Sequence, residues 1–169
     1  MSPAIATVIL TLFFAGCAIA LWELGEEVLC ILLPHRDITR KGDLYLRRFY
    51  LSPRGWRWRL FLHHIVREDA DPHPHDHPWP FTSWLLRRWY SELSGADERM
   101  TGMHRWLRHR SVPATFRHRI TETPRGGAWT LVLAGRAERE WGFWVDGSWV
   151  PWYVYLKCPN EVAAEDVVR

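Results

Sequence analysis

The pattern of apolar and polar positions changes character once along the chain. Residues 4–22, AIATVILTLFFAGCAIALW, carry no charge. A helix needs roughly 20 apolar residues to cross a bilayer, so this stretch reads as a hydrophobic helix. Either it associates with a membrane, or it packs against the domain that follows or against a second copy. Glu23, Glu26 and Glu27 come next, then VLCILLP, and the segment closes at residue 34. No Lys or Arg occurs before Arg36, whereas Arg36, Arg40, Lys41, Arg47 and Arg48 follow closely. If the helix spans, that bias places the C-terminal domain in the cytoplasm; if it does not, the chain is expected to be cytoplasmic.

From residue 35 onward, strand-sized runs alternate with turns that carry Gly and Pro. DLYLRRFYLS (43–52) is one such run, and PRG (53–55) is a turn signal. WRWRLFLHHIV (56–66) begins with strict alternation and becomes apolar on both faces, which suits a strand entering a core. The polar stretch REDADPHPHDHP leads to FTSWLLRRWYSEL (81–93), read as one strand. SVPATFRHRITE (111–122) predicts a strand after Pro113, and AWTLVLAG (128–135) another. In EWGFWVDGSWVPWYVYL (140–156) the Asp146-Gly147 pair predicts a tight hairpin turn. Many short strands without long helices between them predict an all-β barrel or sandwich over 35–157, followed by a short tail, 158–169.

Composition sharpens this reading at three points. The chain of 169 residues suffices for one cored domain. Twelve Trp suggest a thick core or a lined cavity, because each buries a large ring yet needs a partner for its N–H. Cys17, Cys30 and Cys158 are odd in number and far apart, which argues against a disulfide framework or a thiolate metal site. Arg47, Arg48, Arg54, Arg57 and Arg59 interleave with Trp56 and Trp58, the chemistry that binds single strands. The run is short and the formal charge only +3, so nucleic acid is not expected as a partner.

The histidines carry the candidate chemistry. In PHPHDHPWPF (72–81), His75 and His77 are two apart and, in an extended chain, face the same way. Neutral imidazole is the commonest ligand for a borderline divalent metal. Asp76 between them points away and either fixes the turn or orients a ligand. His73 is fenced by Pro72 and Pro74 and is the weakest candidate. A third ligand must come from another strand. His118, between Phe116 and Ile120 on one face, is the first choice and His64 the next, while Asp71 or Glu92 can supply a carboxylate.

His75-x-His77, a following hairpin and a later inward His118 resemble the two-motif pattern of cupins, small double-sheet β-barrels. The likeness runs from about Gly42 to Leu156 and is nearest to uncharacterised cupin-like proteins of bacteria and their phages. It implies a double-stranded β-helix, or jelly-roll barrel; the N-terminal hydrophobic helix that precedes it is not part of the cupin pattern. It also implies a divalent metal on His75, His77 and His118, with iron(II) favoured over zinc or manganese. The usual glutamate is replaced in the region of Thr82 and Ser83, so the pattern is closer to the three-histidine variant of thiol dioxygenases. The resemblance thus implies an iron(II)-dependent dioxygenase acting on a small molecule. Glu92 and Tyr90 are candidate catalytic groups, and Arg48, Arg67, Arg87 and Arg117 are candidates for gripping an anionic substrate. The alternative is a membrane-tethered binding or assembly module with a structural metal or none. A homodimer is the expected assembly.

Overall fold

The computed structural model describes residues 25–157, apart from 54, 98, 104 and 105. The apolar stretch 4–22 and the tail 158–169 lie outside the described residues. Among the described residues, no helix is long and apolar enough to cross a membrane. The chain divides after Pro34 into two compact units. The first contains α1 (Gly25–Leu32), whose first turn carries Glu26 and Glu27, where negative charge complements the helix dipole.

In the second unit the alternation predicted from sequence becomes eleven described strands. These are β1 (His35–Arg40), β2 (Asp43–Tyr50), β3 (Arg59–Ile65), β4 (Phe81–Arg87), β5 (Tyr90–Ser94), β6 (Arg99–Met103), β7 (His109–Val112), β8 (His118–Glu122), β9 (Ala128–Ala134), β10 (Gly142–Val145) and β11 (Ser148–Pro151). A short helical turn, α2 (Trp152–Tyr155), follows. One sheet has the order β1-β2-β3-β9-β4-β7. A second layer is built from β6-β5-β8 and the hairpin β10-β11. Residue His75, outside any strand, bridges these two pieces, pairing with His118 of β8 and Phe143 of β10.

Period two decides which residues face the space between the layers. On β3 the odd positions Phe61, His63 and Ile65 line the interior cavity; on β9 the even positions Thr130 and Val132 do so. The register confirms this, since Phe61 pairs with Val132 and His63 with Thr130. On β2 a bulge opposite Ile38 and Thr39 shifts the phase, so Tyr45 and Leu46 both reach the inner side. The core beside the cavity is Tyr45, Leu46, Ile65, Leu85, Tyr90, Met103, Ile120 and Ala128.

Four details differ from the sequence reading. The strand expected over 81–93 breaks at Arg88, whose φ is 63°, and its halves join different sheets. The strand expected after Pro113 is β8, from His118 onward, and a further strand, β7, which the sequence reading did not give, ends just before it. Pro113 cannot donate to a ladder, and the chain turns there, with Phe116 N–H bonded to Pro113 O at 3.0 Å. Residues 152–155 coil into a turn instead of extending the hairpin, with Leu156 N–H bonded to Trp152 O at 2.8 Å. Finally, β1 is an exposed, polar edge strand that the apolar pattern does not announce.

Candidate metal centre

The segment 74–77 crosses the second layer as an extended strip, which puts His75 and His77 on one side and Asp76 on the other. His75 N–H bonds to His118 O and His118 N–H to His75 O, both at 2.9 Å. That reciprocal pair sets the two rings side by side, with centroids 4.9 Å apart. His77 N–H is held by Ala114 O at 3.1 Å, bringing its Nε2 to 2.9 Å from His118 Nε2. One ring nitrogen from each of His75, His77 and His118 lies within 4.8 Å of the others.

This donor set suits a divalent metal. Two nitrogens each ~2.1 Å from a common ion, at a right angle, lie about 3.0 Å apart, close to the observed 2.9 Å. The rings are also in the form a metal needs. Burial lowers His75 to about 4. Burial, followed by the neighbouring charges, holds His77 well below its ordinary value. Burial and then the Arg110 charge lower His118 to about 3, while the Asp69 charge pulls the other way. Neutral imidazole is the ligating state.

Behind His118 stands a carboxylate. His118 Nδ1–H donates to Glu92 Oε2 at 2.7 Å, which leaves Nε2 as the acceptor that faces His77. Glu92 is fully buried. It is held by a two-pronged pairing with Arg110, one arm of which measures 2.8 Å. Glu92 therefore orients a histidine through its far nitrogen, an arrangement that fixes the tautomer and raises ligand basicity. Asp69 sits near the other side, its Oδ2 3.9 Å from His75 Nδ1 and bonded to Ile120 N–H at 2.7 Å. Asp76, also fully buried, turns away from the cluster. It accepts from Gly142 N–H at 2.8 Å, Trp149 Nε1–H at 3.1 Å and Arg139 at 2.6 Å.

The histidines form one wall of a cavity of about 350 Å³, within the range of small-molecule pockets. Its lining includes Tyr90, Ser83, Arg48, His63, Arg110, Trp79 and Trp141. Its exposed lining residues, Arg36, Asp37 and Thr39, all belong to β1, which marks the mouth. Of the residues singled out from sequence, the structure brings together His75, His77 and His118. His64 lies apart: it is on the even face of β3, stacked on Trp129 at 4.3 Å and bonded to Gly126 O at 3.1 Å. Tyr90 lines the cavity, whereas Glu92 does not. Asp71 pairs with Arg40 at 3.7 Å, Arg67 with Asp43 at 2.9 Å, and Arg117 lies over Trp144. Sequence reasoning missed Arg110, Asp69 and His63. Glu92, named from sequence as a possible carboxylate ligand and catalytic group, stands behind His118 on the buried parity of β5.

Comparison with solved structures agrees with this fold. A cupin-2 domain protein from Rhodospirillum rubrum superposes with a TM-score of 0.54 at 10% identity, over 80% of this chain and 89% of that one. The domain has the cupin fold. A sugar phosphate isomerase of the cupin superfamily from Silicibacter pomeroyi gives a TM-score of 0.53 at 14% identity, over 69% and 80% of the two chains. The iron(II) form of HppE gives 0.50 at 13% identity, covering 60% of this chain and 56% of that one, little more than half its length. No protein-family model matches the sequence, and neither does any curated protein. At these identities the likeness establishes the cupin barrel and nothing finer.

The depressed histidines make the metal-free barrel acid-sensitive. A His buried neutral has a folded pKa below its unfolded value. Its contribution is therefore complete above about pH 6.5 and declines as pH falls toward the folded value of about 4 for His75. The expected loss across that window is about 2–3 kcal/mol from His75, with His77 acting in the same direction. Thermal unfolding of chelator-treated protein between pH 7 and 4 checks this. A flat midpoint would contradict it.

Proposed function

We propose that this cupin barrel is a metal-dependent enzyme for a small molecule, with His75, His77 and His118 as ligands to a divalent ion, iron(II) first. The observation that carries the reading is the convergence of three neutral ring nitrogens on the wall of a cavity that opens to the surface at β1. Iron(II), when bound, supplies oxygen-dependent oxidation, so the reaction class proposed is a dioxygenase. Glu92 holds the His118 ring and its tautomer. The buried walls around Phe61, Trp79, Val132 and Phe143 exclude water. Tyr90 and Ser83 stand on the same lining as hydrogen-bonding groups for substrate, and burial keeps the Tyr90 phenol protonated by raising it above its usual range. With zinc or manganese in place of iron, hydrolysis or isomerisation becomes the reaction class.

The alternative of a closed structural site requires a fourth protein ligand. Among the described residues the clustered group holds three, and Asp69 is engaged by Ile120 N–H, which favours an open position. Residues 4–22 remain the proposed membrane association.

The test is elemental mass spectrometry on protein purified without chelator, with His75→Ala, His77→Ala and His118→Ala alongside. About one ion per chain is expected in the parent and near none in each variant. Folded parent protein that takes up no metal on reloading would overturn the reading.

A further inference from the structure

The inner face of β3 and β9 is apolar except at one rung. Phe61 and Ile65 on β3, with Ala128 and Val132 on β9, are buried apolar residues. Between them His63 lies directly opposite Thr130, and both line the cavity walled by the three histidines. Side chains directly opposed on neighbouring strands touch, so the imidazole and the hydroxyl form one polar spot. Burying a polar group without a partner costs stability, and a spot of this kind in an apolar wall calls for one.

The tautomer of His63 is fixed from behind. Arg48 Nε–H donates to His63 Nε2 at 3.1 Å. A guanidinium Nε always carries its hydrogen, so Nε2 accepts and Nδ1 carries the ring proton. Burial, then the Arg48 charge, holds His63 well below its ordinary value, so the ring stays neutral. Its plane is set as well, stacked on Phe61 with centroids 5.7 Å apart. Among the described residues, nothing accepts from the His63 Nδ1–H and nothing bonds the Thr130 hydroxyl. Neither atom is sealed in the wall.

The spot thus offers one donor, Nδ1–H, beside one group that both donates and accepts. Ser83, on β4 opposite Val132, and Tyr90 add two more hydroxyls to the same lining. A carboxylate or phosphate oxygen only accepts and leaves the hydroxyl lone pairs unmet, whereas an alcohol does both. Facing sheets pack about 10 Å apart, so a small molecule held at this rung reaches the second layer with its other end.

We infer that the cavity takes a small uncharged polyol or sugar-like molecule, that one of its hydroxyls accepts from His63 Nδ1–H and donates to Thr130 Oγ1, and that this contact directs the remainder toward His75, His77 and His118. The inference rests on the cavity being the substrate site proposed above, but the hydroxyl subsite itself needs no metal.

The test uses the metal-free full chain in a detergent without a sugar headgroup. It is titrated separately with glycerol, xylitol, xylose and tetrahydropyran, the last being the pyranose ring without its hydroxyls. The His63 ring and Thr130 amide resonances are followed by NMR. At least one hydroxylated probe is expected to give saturable shifts, and tetrahydropyran none. Thr130→Val, which keeps the shape and loses the hydroxyl, is expected to weaken binding about tenfold, as is His63→Phe. Thr130→Ser, which keeps the hydroxyl, is expected to stay within about threefold of the parent. If His63→Phe does not fold, the two Thr130 variants carry the comparison. Thr82→Val, whose hydroxyl meets Ser111 outside the cavity, is expected to bind as the parent does. No saturable shift with any hydroxylated probe overturns the inference, as do equal shifts with tetrahydropyran or parent-like affinity in Thr130→Val. Metal content is measured on the same preparations. Metal uptake without polyol binding removes this inference alone, and polyol binding without metal uptake removes the metal centre alone.

Discussion

Glu92→Ala is expected to cost about 3–5 kcal/mol of folding stability, the range for removing one partner of a buried ion pair. Glu92 belongs to β5 in the three-stranded sheet and Arg110 to β7 in the six-stranded one, so their pairing ties the two layers together. The Glu92 side chain has no exposed surface, and that of Arg110 is 19% exposed. Truncation leaves the guanidinium in the wall without a counter-charge and the His118 Nδ1–H without an acceptor. A loss of this size approaches the whole stability of many domains. Glu92→Gln keeps the shape and one acceptor oxygen. It is expected to cost about 1–2 kcal/mol and to weaken metal binding about tenfold to a hundredfold, because the ring behind the ligand loses its anion. Urea unfolding and competitive metal titration measure the two effects. A Glu92→Ala protein as stable as the parent would show that the pair contributes nothing net.

The second large effect is expected at Asp76. Its two oxygens serve three donors: the Gly142 N–H, the Trp149 indole N–H and Arg139. Asp76→Ala is expected to cost about 3 kcal/mol, since hydrogen bonds to a charged acceptor contribute roughly 1.5–3 kcal/mol each. Arg139, at 27% side-chain exposure, can turn to water and recover part of the loss. Asp76→Asn keeps an oxygen for Gly142 but turns an amine toward the other two donors, so about half the loss is expected. Because Asp76 sits between His75 and His77, its removal also frees the strip that positions both rings. The expected signature is reduced metal content in protein that is still folded at low temperature. Parent-like metal affinity in Asp76→Ala would separate the anchor from the site.

Local chemistry made part of this architecture legible. AWTLVLAG is β9 within a residue. The Asp146-Gly147 turn is where the sequence places it, with φ of 48° and 79°. LFLHHI is buried on both faces, as a strand between β2 and β9 must be. The parity of His75 and His77 and the apolar flanks of His118 bring three residues into one cluster without knowledge of the sheets. What stayed hidden depends on contacts between distant segments. Arg110 belongs to the site only because β7 ends against β5. His63, and not His64, faces the cavity, and in LFLHHI both positions have apolar neighbours, so pattern cannot choose between them. The break at Arg88 needs a left-handed backbone at a residue that rarely adopts one, so no glycine marks it. The polar run HRDITR pairs with β2 through the backbone ladder and the Asp37–Arg47 ion pair, and its side chains give no strand signal.

The break at Arg88 bears on how the cavity meets a ligand. Only two residues, Arg88 and Trp89, separate β4 in one layer from β5 in the other. A tether so short allows little sliding or opening of one layer against the other, in contrast to lobes joined by hinge loops. The barrel interior is accordingly stiff. For the small molecule proposed above, selection is then expected by size and outline at the moment of entry, with little free energy lost in closing around it, and entry is expected past β1, whose outer edge has no neighbouring strand among the described residues.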